Sequence, residues 1–258
     1  MLKSPAATPP APGARALYLG PAEKKRVACT DEALVVTNDR KQTWRYPVVR
    51  VARIVSSTVV DWSGAALALC LRRGIGIAWV DARGEPLGAS YPQARGNTGF
   101  ATALEIMTEA ADGPLKYQHW QRARRMDVLI RWGHTQPETI SPQQWEATKR
   151  EWVYASEYTV HLPRPLRGLC LAYVGAQLAR QGLPPVLWGP QAQRMDLDAD
   201  LCELLWAEMN LCAGSLADTV SQDAPATALF ERWTARNASA LTLHIHSLQR
   251  TAMKALAA

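Results

Sequence analysis

The sequence contains no uninterrupted apolar run of the eighteen or so residues that a membrane-spanning helix needs. A membrane-embedded chain is therefore not expected. Cysteine is sparse and scattered. The five (Cys29, Cys70, Cys170, Cys202, Cys212) form no Cys-x-x-Cys pair, which argues against a disulfide framework or a zinc ribbon and for a reducing cytoplasm. Cys70 and Cys170 fall on apolar helical faces and read as core. Histidine is also scarce, and no two histidines have ligand spacing. His244 and His246 sit at i, i+2, which on a helix face different ways. His119, His134 and His161 stand alone. The opening stretch from Met1 to Gly13 lacks the apolar segment of a secretory signal. It is rich in Ala and Pro, and residues 1–14 read as a disordered leader.

Phenylalanine is nearly missing, with two residues against ten tryptophans. Tryptophans in such excess read as core or interface anchors. The 258 residues are 48% hydrophobic and 20% charged, the composition of an ordinary globular protein of one or two domains. The formal charge is +6 and the pI about 9.2, which is compatible with a nucleic-acid partner. Charge is unevenly spread. Arg15 to Tyr91 holds 12 Lys/Arg against 7 Asp/Glu, whereas Gln191 to Glu231 holds one Arg against 8 acids. That acidic stretch reads either as a metal-attracting patch or as a solvated face.

From residue 15 to 91 the pattern is that of short strands broken by polar turns. Ala16–Leu19, Arg26–Thr30, Ala33–Thr37, Thr43–Pro47 and Val51–Val60 are rich in β-branched and aromatic residues. Ser63 then opens a helix with apolar Ala66, Leu67, Cys70 and Leu71, closed by Arg72-Arg73-Gly74. A buried strand, Ile75–Val80, follows. Residues 92–99 carry Pro, Gly and Asn and read as a linker. Beyond it, helical periodicity dominates: 102–111, 117–132, 141–158, 165–181, 198–216, 226–235 and 239–256. Ser141-Pro142 reads as an N-cap followed by proline in the first turn. Asp198 reads as the N-cap of the acidic helix. The expected fold is α+β: an N-terminal antiparallel β-domain with one helix (15–91), then a C-terminal all-α domain (100–258).

The stretch Val59-Val60-Asp61-Trp62-Ser63-Gly64-Ala65-Ala66-Leu67-Ala68-Leu69-Cys70-Leu71-Arg72-Arg73-Gly74-Ile75-Gly76-Ile77-Ala78-Trp79-Val80-Asp81-Ala82-Arg83-Gly84 resembles the CRISPR spacer-acquisition integrase family. There a strand leads into a Ser-initiated helix, then a Gly-Ile strand, an Asp and a Gly turn. Leu17-Tyr18-Leu19, the hairpins after it and Leu243 to Leu256 fit as well. The chain resembles a short and divergent member. The resemblance implies a homodimer through the β-domain, a small adaptation partner subunit or an active paralogue, and duplex or branched DNA as substrate. It also implies strand transfer, in which a DNA 3′-hydroxyl attacks a phosphodiester, with Mg2+ or Mn2+ held by a Glu, a His and a further acid.

Carried over residue by residue, that triad falls on Glu146 (Tyr154 follows at +8), on Gln191 where the family has His, and on Glu203 in Asp200-Leu201-Cys202-Glu203, with Asp200 beside it. A glutamine is neutral and less basic than imidazole, so metal affinity and turnover should fall. The alternative is a catalytically inactive homologue serving as a DNA-binding scaffold or regulatory subunit. An unrelated α+β protein that uses its acidic segment for a partner is a third reading. For DNA contact the candidates are Arg122, Arg124 and Arg125, interleaved with Trp120 and Trp132, then Lys149, Arg150, Arg164 and Arg167. Each of these acids and bases is also what an ordinary solvated helix face carries.

Overall fold

The computed structural model describes residues 13–92, 99–136, 139–155, 162, 165–188, 195–212 and 225–256. The expected leader (save 13 and 14), most of the linker, Gln191, Arg164 and His161 lie outside the described residues.

The first part is built of two four-stranded sheets. The strands are β1 (Arg15–Leu19), β2 (Lys25–Cys29), β3 (Ala33–Asn38), β4 (Thr43–Pro47), β5 (Val51–Ser57), β6 (Asp61–Trp62), β7 (Ile77–Val80) and β8 (Pro86–Ser90). One sheet has the order β1-β5-β7-β8 and the other β4-β3-β2-β6. An α+β fold with strands first and helices after is as the sequence implies. The pairing, however, is mixed, which corrects the antiparallel expectation. β5 runs parallel to both β1 and β7, and β2 parallel to β6, while the hairpins β2–β3, β3–β4 and β7–β8 are antiparallel. The cause is connectivity. A helix between two strands of one sheet is a crossover, and a crossover returns the chain in the same direction. Here α1 (Gly64–Arg72) lies between β5 and β7.

The ends of α1 follow from its sequence. Ser63 Oγ accepts from Ala66 N at 3.2 Å. At the far end Gly74 has φ +76°, Ile75 N donates to Cys70 O at 2.9 Å and Gly74 N to Leu71 O at 3.2 Å. These two bonds close the helix and need the left-handed residue that glycine supplies. Val27, Leu34, Ile54, Ala66, Cys70 and Ile77 are fully buried in one cluster that joins both sheets to α1. Each larger aliphatic side chain there contributes about 1.5–3 kcal/mol through burial. Burial also pushes the Cys70 thiol up to about 12, with the neighbouring Cys29 adding to the shift. β5 is buried along nearly its whole length, as a central parallel strand should be.

The remaining α-helices among the described residues are α2 (Gly99–Glu109), α3 (Gly113–Thr135), α4 (Pro142–Lys149), α5 (Pro165–Arg180), α6 (Leu197–Leu211), α7 (Ala226–Arg236) and α8 (Ala240–Leu256). A π-turn, Arg150–Tyr154, prolongs α4. Ser141 caps α4 with a full capping box, exchanging bonds with Gln144. Compact grouping yields two units, Met1–Asn97 with Arg167–Pro185, and Thr98–Leu166 with Val186–Ala258. Most of α5 therefore belongs with the sheets. It docks there through glycine. At Gly168 a Cβ would lie 2.5 Å from the Gly84 carbonyl oxygen, and at Gly175 it would collide with the Tyr91 hydroxyl. Two arginines fasten the same helix. Arg180 Nη2 donates to Ala52 O at 2.8 Å, and Arg53 lies 5.0 Å over the ring of Tyr173.

In the second unit α2 and α8 pack along each other, and α3 and α6 do the same. The buried positions of α2 (Phe100, Ala103, Leu104, Met107) and of α8 (Leu241, Ile245, Leu248, Ala252) recur every three or four residues. Gly175→Ala should destabilise the chain by about 1–3 kcal/mol, the usual penalty of overpacking. Urea melts of Gly175→Ala, Tyr91→Ala and the double variant would reveal this. The second substitution should cost little once the Tyr91 ring is gone, and additive losses would mean that Tyr91 is not what Gly175 makes room for.

Candidate functional site

The acids singled out in the sequence lie on or beside α6, the most deeply buried helix of its unit. Every residue from Leu201 to Asn210 is buried except Glu203, which is half-buried. Its N-cap is Asp196, not Asp198 as the sequence suggested. Asp198 lies one residue inside the helix, 7% exposed, with its N–H donating to Trp188 O at 3.2 Å and its Oδ1 accepting from Ala199 N at 2.9 Å. Burial, then the hydrogen bond its protonated form can give to Asp196, pushes its carboxyl up to about 7. A short cap would have left it in water; the apolar neighbours Leu197 and Leu201 carry it inward instead.

Asp200 is met from α3. Tyr117 Oη donates to Asp200 Oδ2 at 2.8 Å. Tyr117 is itself buried, with its ring stacked on Trp120 at 5.3 Å between centroids. Burial first, and the Asp200 charge next, drive the phenol well above its ordinary pKa, so the proton of this contact stays on Tyr117. The Gln121 side chain and the Arg125 guanidinium are near enough to favour its charge, yet burial still raises the carboxyl on balance. Tyr117, Gln121 and Arg125 are spaced i, i+4, i+8 and make one stripe along α3.

Two turns further along α6, Glu208 is 7% exposed. Its Oε1 pairs with Arg131 Nη2 of α3 and lies 3.1 Å from His244 Nε2 of α8. His244 is 1% exposed, and its Nδ1 meets no partner among the described residues. The tautomer that suits this has the proton on Nε2, donated to Glu208, because a bare acceptor is cheaper to bury than an unpaired N–H. The sequence reading missed this trio. The signals were there: an acid inside Leu204-Leu205-Trp206-Ala207-Glu208-Met209, and a histidine on the stripe Leu241, His244, Ile245, Leu248.

The other candidates are dispersed. Glu146 is largely exposed on α4 and pairs with Lys149 at 3.3 Å. Arg122 is exposed. Arg124 pairs with Asp127 at 2.7 Å, and Arg125 donates to Ala155 O at 3.4 Å. Arg150 is exposed at the head of the π-turn, and Arg167 is exposed in the first turn of α5.

Residues 21–111 match the family model of the CRISPR associated protein Cas1. A Cas1 protein from Thermotoga maritima has the same fold, with a TM-score of 0.70 at 13% identity over 93% of this chain and 97% of that one. The chain therefore has the Cas1 fold, and its first third resembles Cas1 in sequence as well. TtCas1 in complex with DNA is similar at a TM-score of 0.53 and 14% identity, covering 94% of this chain and 90% of that one. A casposase bound to its integration product gives 0.54 and 11%, covering 91% and 82%. No curated protein sequence matches the chain.

Cas1 integrases are generally metal-dependent, and a divalent ion needs several oxygen donors turned to one point. The described residues of this chain do not offer that. Among them no group of three or more His, Cys, Asp or Glu is placed to hold an ion. Asp200 spends an oxygen on Tyr117, and Glu146 is paired in solvent with Lys149.

Glu208→Ala should cost about 1–3 kcal/mol, because it leaves the His244 N–H buried without an acceptor. The larger loss typical of a broken buried ion pair is not expected, since the half-exposed Arg131 can turn to water. Glu208→Gln, which keeps one acceptor, should lose less. Thermal melts of the two variants would decide; equal losses would mean that the hydrogen bond contributes nothing beyond packing.

Proposed function

We propose that this Cas1-family chain acts in CRISPR adaptation in the cytoplasm as a protein that binds duplex or branched DNA, with weakened phosphoryl transfer. The reading that it binds DNA is supported by the fold, by the basic balance of the chain and by the exposed cations Arg122, Arg150 and Arg167. The weakening is supported by one observation above the others: the carboxylate that the family pattern sets beside its metal ligand, Asp200, is hydrogen-bonded by Tyr117. Gln191 in the position of the family's histidine points the same way. Of the candidate ligands on α6, Glu203 is the one we assign to any remaining chemistry with Mg2+ or Mn2+. Association through the β-domain and work alongside a small partner subunit or an active paralogue complete the reading.

Two measurements test it. In anisotropy titrations with branched duplex DNA in EDTA, the wild type should bind. Arg122→Ala should weaken binding to all sequences alike and lower the slope of log K against log salt by about one. An unchanged slope would remove Arg122 from the interface. Strand transfer and cleavage on the same DNA with manganese should be slow in the wild type and lost in Glu203→Ala. DNA binding without product in either protein would leave the non-catalytic scaffold as the function. Product that survives in Glu203→Ala would mean the chemistry lies elsewhere.

A further inference from the structure

We infer that Asp200 is an anchor between helices in this chain and not a metal ligand: Tyr117 on α3 gives it the hydrogen-bond donor whose place a divalent cation would otherwise take. The inference rests on the Cas1 reading, since the family pattern is what makes Asp200 a candidate ligand at all.

The argument is one of competition for lone pairs. A carboxylate in a hard-cation site turns its oxygens to the ion, and its remaining lone pairs are held by outer partners. Asp200 is held from a single helix. The Tyr117 hydroxyl, 2.8 Å away, sits on Oδ2. Tyr117 is fixed in place by burial and by its stacking on Trp120, so it cannot swing aside without opening the α3–α6 interface. Gln121, one turn on, is near enough to favour the charged carboxylate, and Arg125, one turn beyond that, supplies positive charge. An ion bound to Asp200 Oδ2 would have to displace a buried phenol and share the space with a guanidinium. Tyrosine is suited to the role because burial keeps the proton on its hydroxyl, which leaves it a donor to the charged carboxylate.

The same logic holds at the other end of the helix pair. There Arg131 and His244 converge on Glu208. Two acids of α6 are thus satisfied by protein donors at two levels of the same interface. The pair α3–α6 should therefore close without metal, and chelation should leave both the fold and the DNA affinity intact.

The test is Mn2+ binding, followed by the loss of the free-ion EPR signal, on the full chain as wild type, Asp200→Asn, Tyr117→Phe and the double variant. Wild type and Asp200→Asn should bind manganese alike, within about twofold. Tyr117→Phe, which keeps the ring on Trp120 and removes only the hydroxyl, should bind about tenfold more tightly, and Asp200→Asn in that background should abolish the gain. A loss of about tenfold or more on Asp200→Asn alone would overturn the inference, as would a Tyr117→Phe protein with unchanged affinity. Should Tyr117→Phe not fold, the comparison of wild type with Asp200→Asn still decides. DNA anisotropy in EDTA on the same samples separates this from the wider reading. If the wild type fails to bind DNA, the proposed function falls while the manganese result stands. If it binds DNA but Asp200→Asn loses manganese, the function stands and the anchor does not.

Discussion

The helical unit depends on the pairing of α3 with α6. α6 is buried almost all round, and yet it carries Asp198, Asp200, Glu203 and Glu208 on the way through. Buried carboxylates are tolerated only with partners, because an unpaired charge in the interior costs far more than one good contact returns. α3 supplies partners at intervals matching its own turns: Tyr117 and Gln121 for Asp200, Arg131 for Glu208. Once those are set, α8 has one place to lie, with His244 against Glu208 and its apolar stripe on the core. The polar contacts select the register of the bundle; leucine and tryptophan packing around them provides most of the stabilisation.

Much of the first domain was legible in the sequence because its signals are local. Ser63 and Gly74 mark the ends of α1 by backbone chemistry that needs no knowledge of the rest of the fold, and the alternation in Ala33–Asn38 puts Leu34 and Val36 on the inner face directly. Strand direction is different in kind. Val51–Ser57 reads as a strand whichever way its neighbours run, and only the route of the chain through α1 makes β5 and β7 parallel. The docking of α5 was hidden for a similar reason. Gly168 and Gly175 look like weak points in a helix until the Gly84 carbonyl and Tyr91 are found lying against them.

The acidic helix shows where sequence reading of a site stops. A carboxylate's type and spacing are the same whether it awaits an ion or a tyrosine. Asp200 and Glu203 fit a ligand pattern; Tyr117, 83 residues earlier, settles what Asp200 does, and nothing near Asp200 announces it. Asp198 was misread as a cap because Asp is a good cap, whereas the cap is Asp196, two residues sooner. Arg124 and Arg125 likewise look like a phosphate-binding pair on a helix wheel, but Asp127 and Ala155 claim part of that donor capacity. Arg122, which the same pattern ranks no higher, is the exposed one of the three.

A carboxylate in a protein interior can be satisfied by a bound ion or by protein donors. A carboxylate left in the interior without that ion would be unpaired, and the fold would suffer unless a donor took over. A buried tyrosine with a stacked neighbour is such a donor, since its hydroxyl is fixed and brings no charge to desolvate. Tyr117 thus satisfies Asp200 without a cation. Binding to phosphate makes no such demand. It needs exposed positive charge on a stable surface, and that survives as long as α3 stays folded against α6.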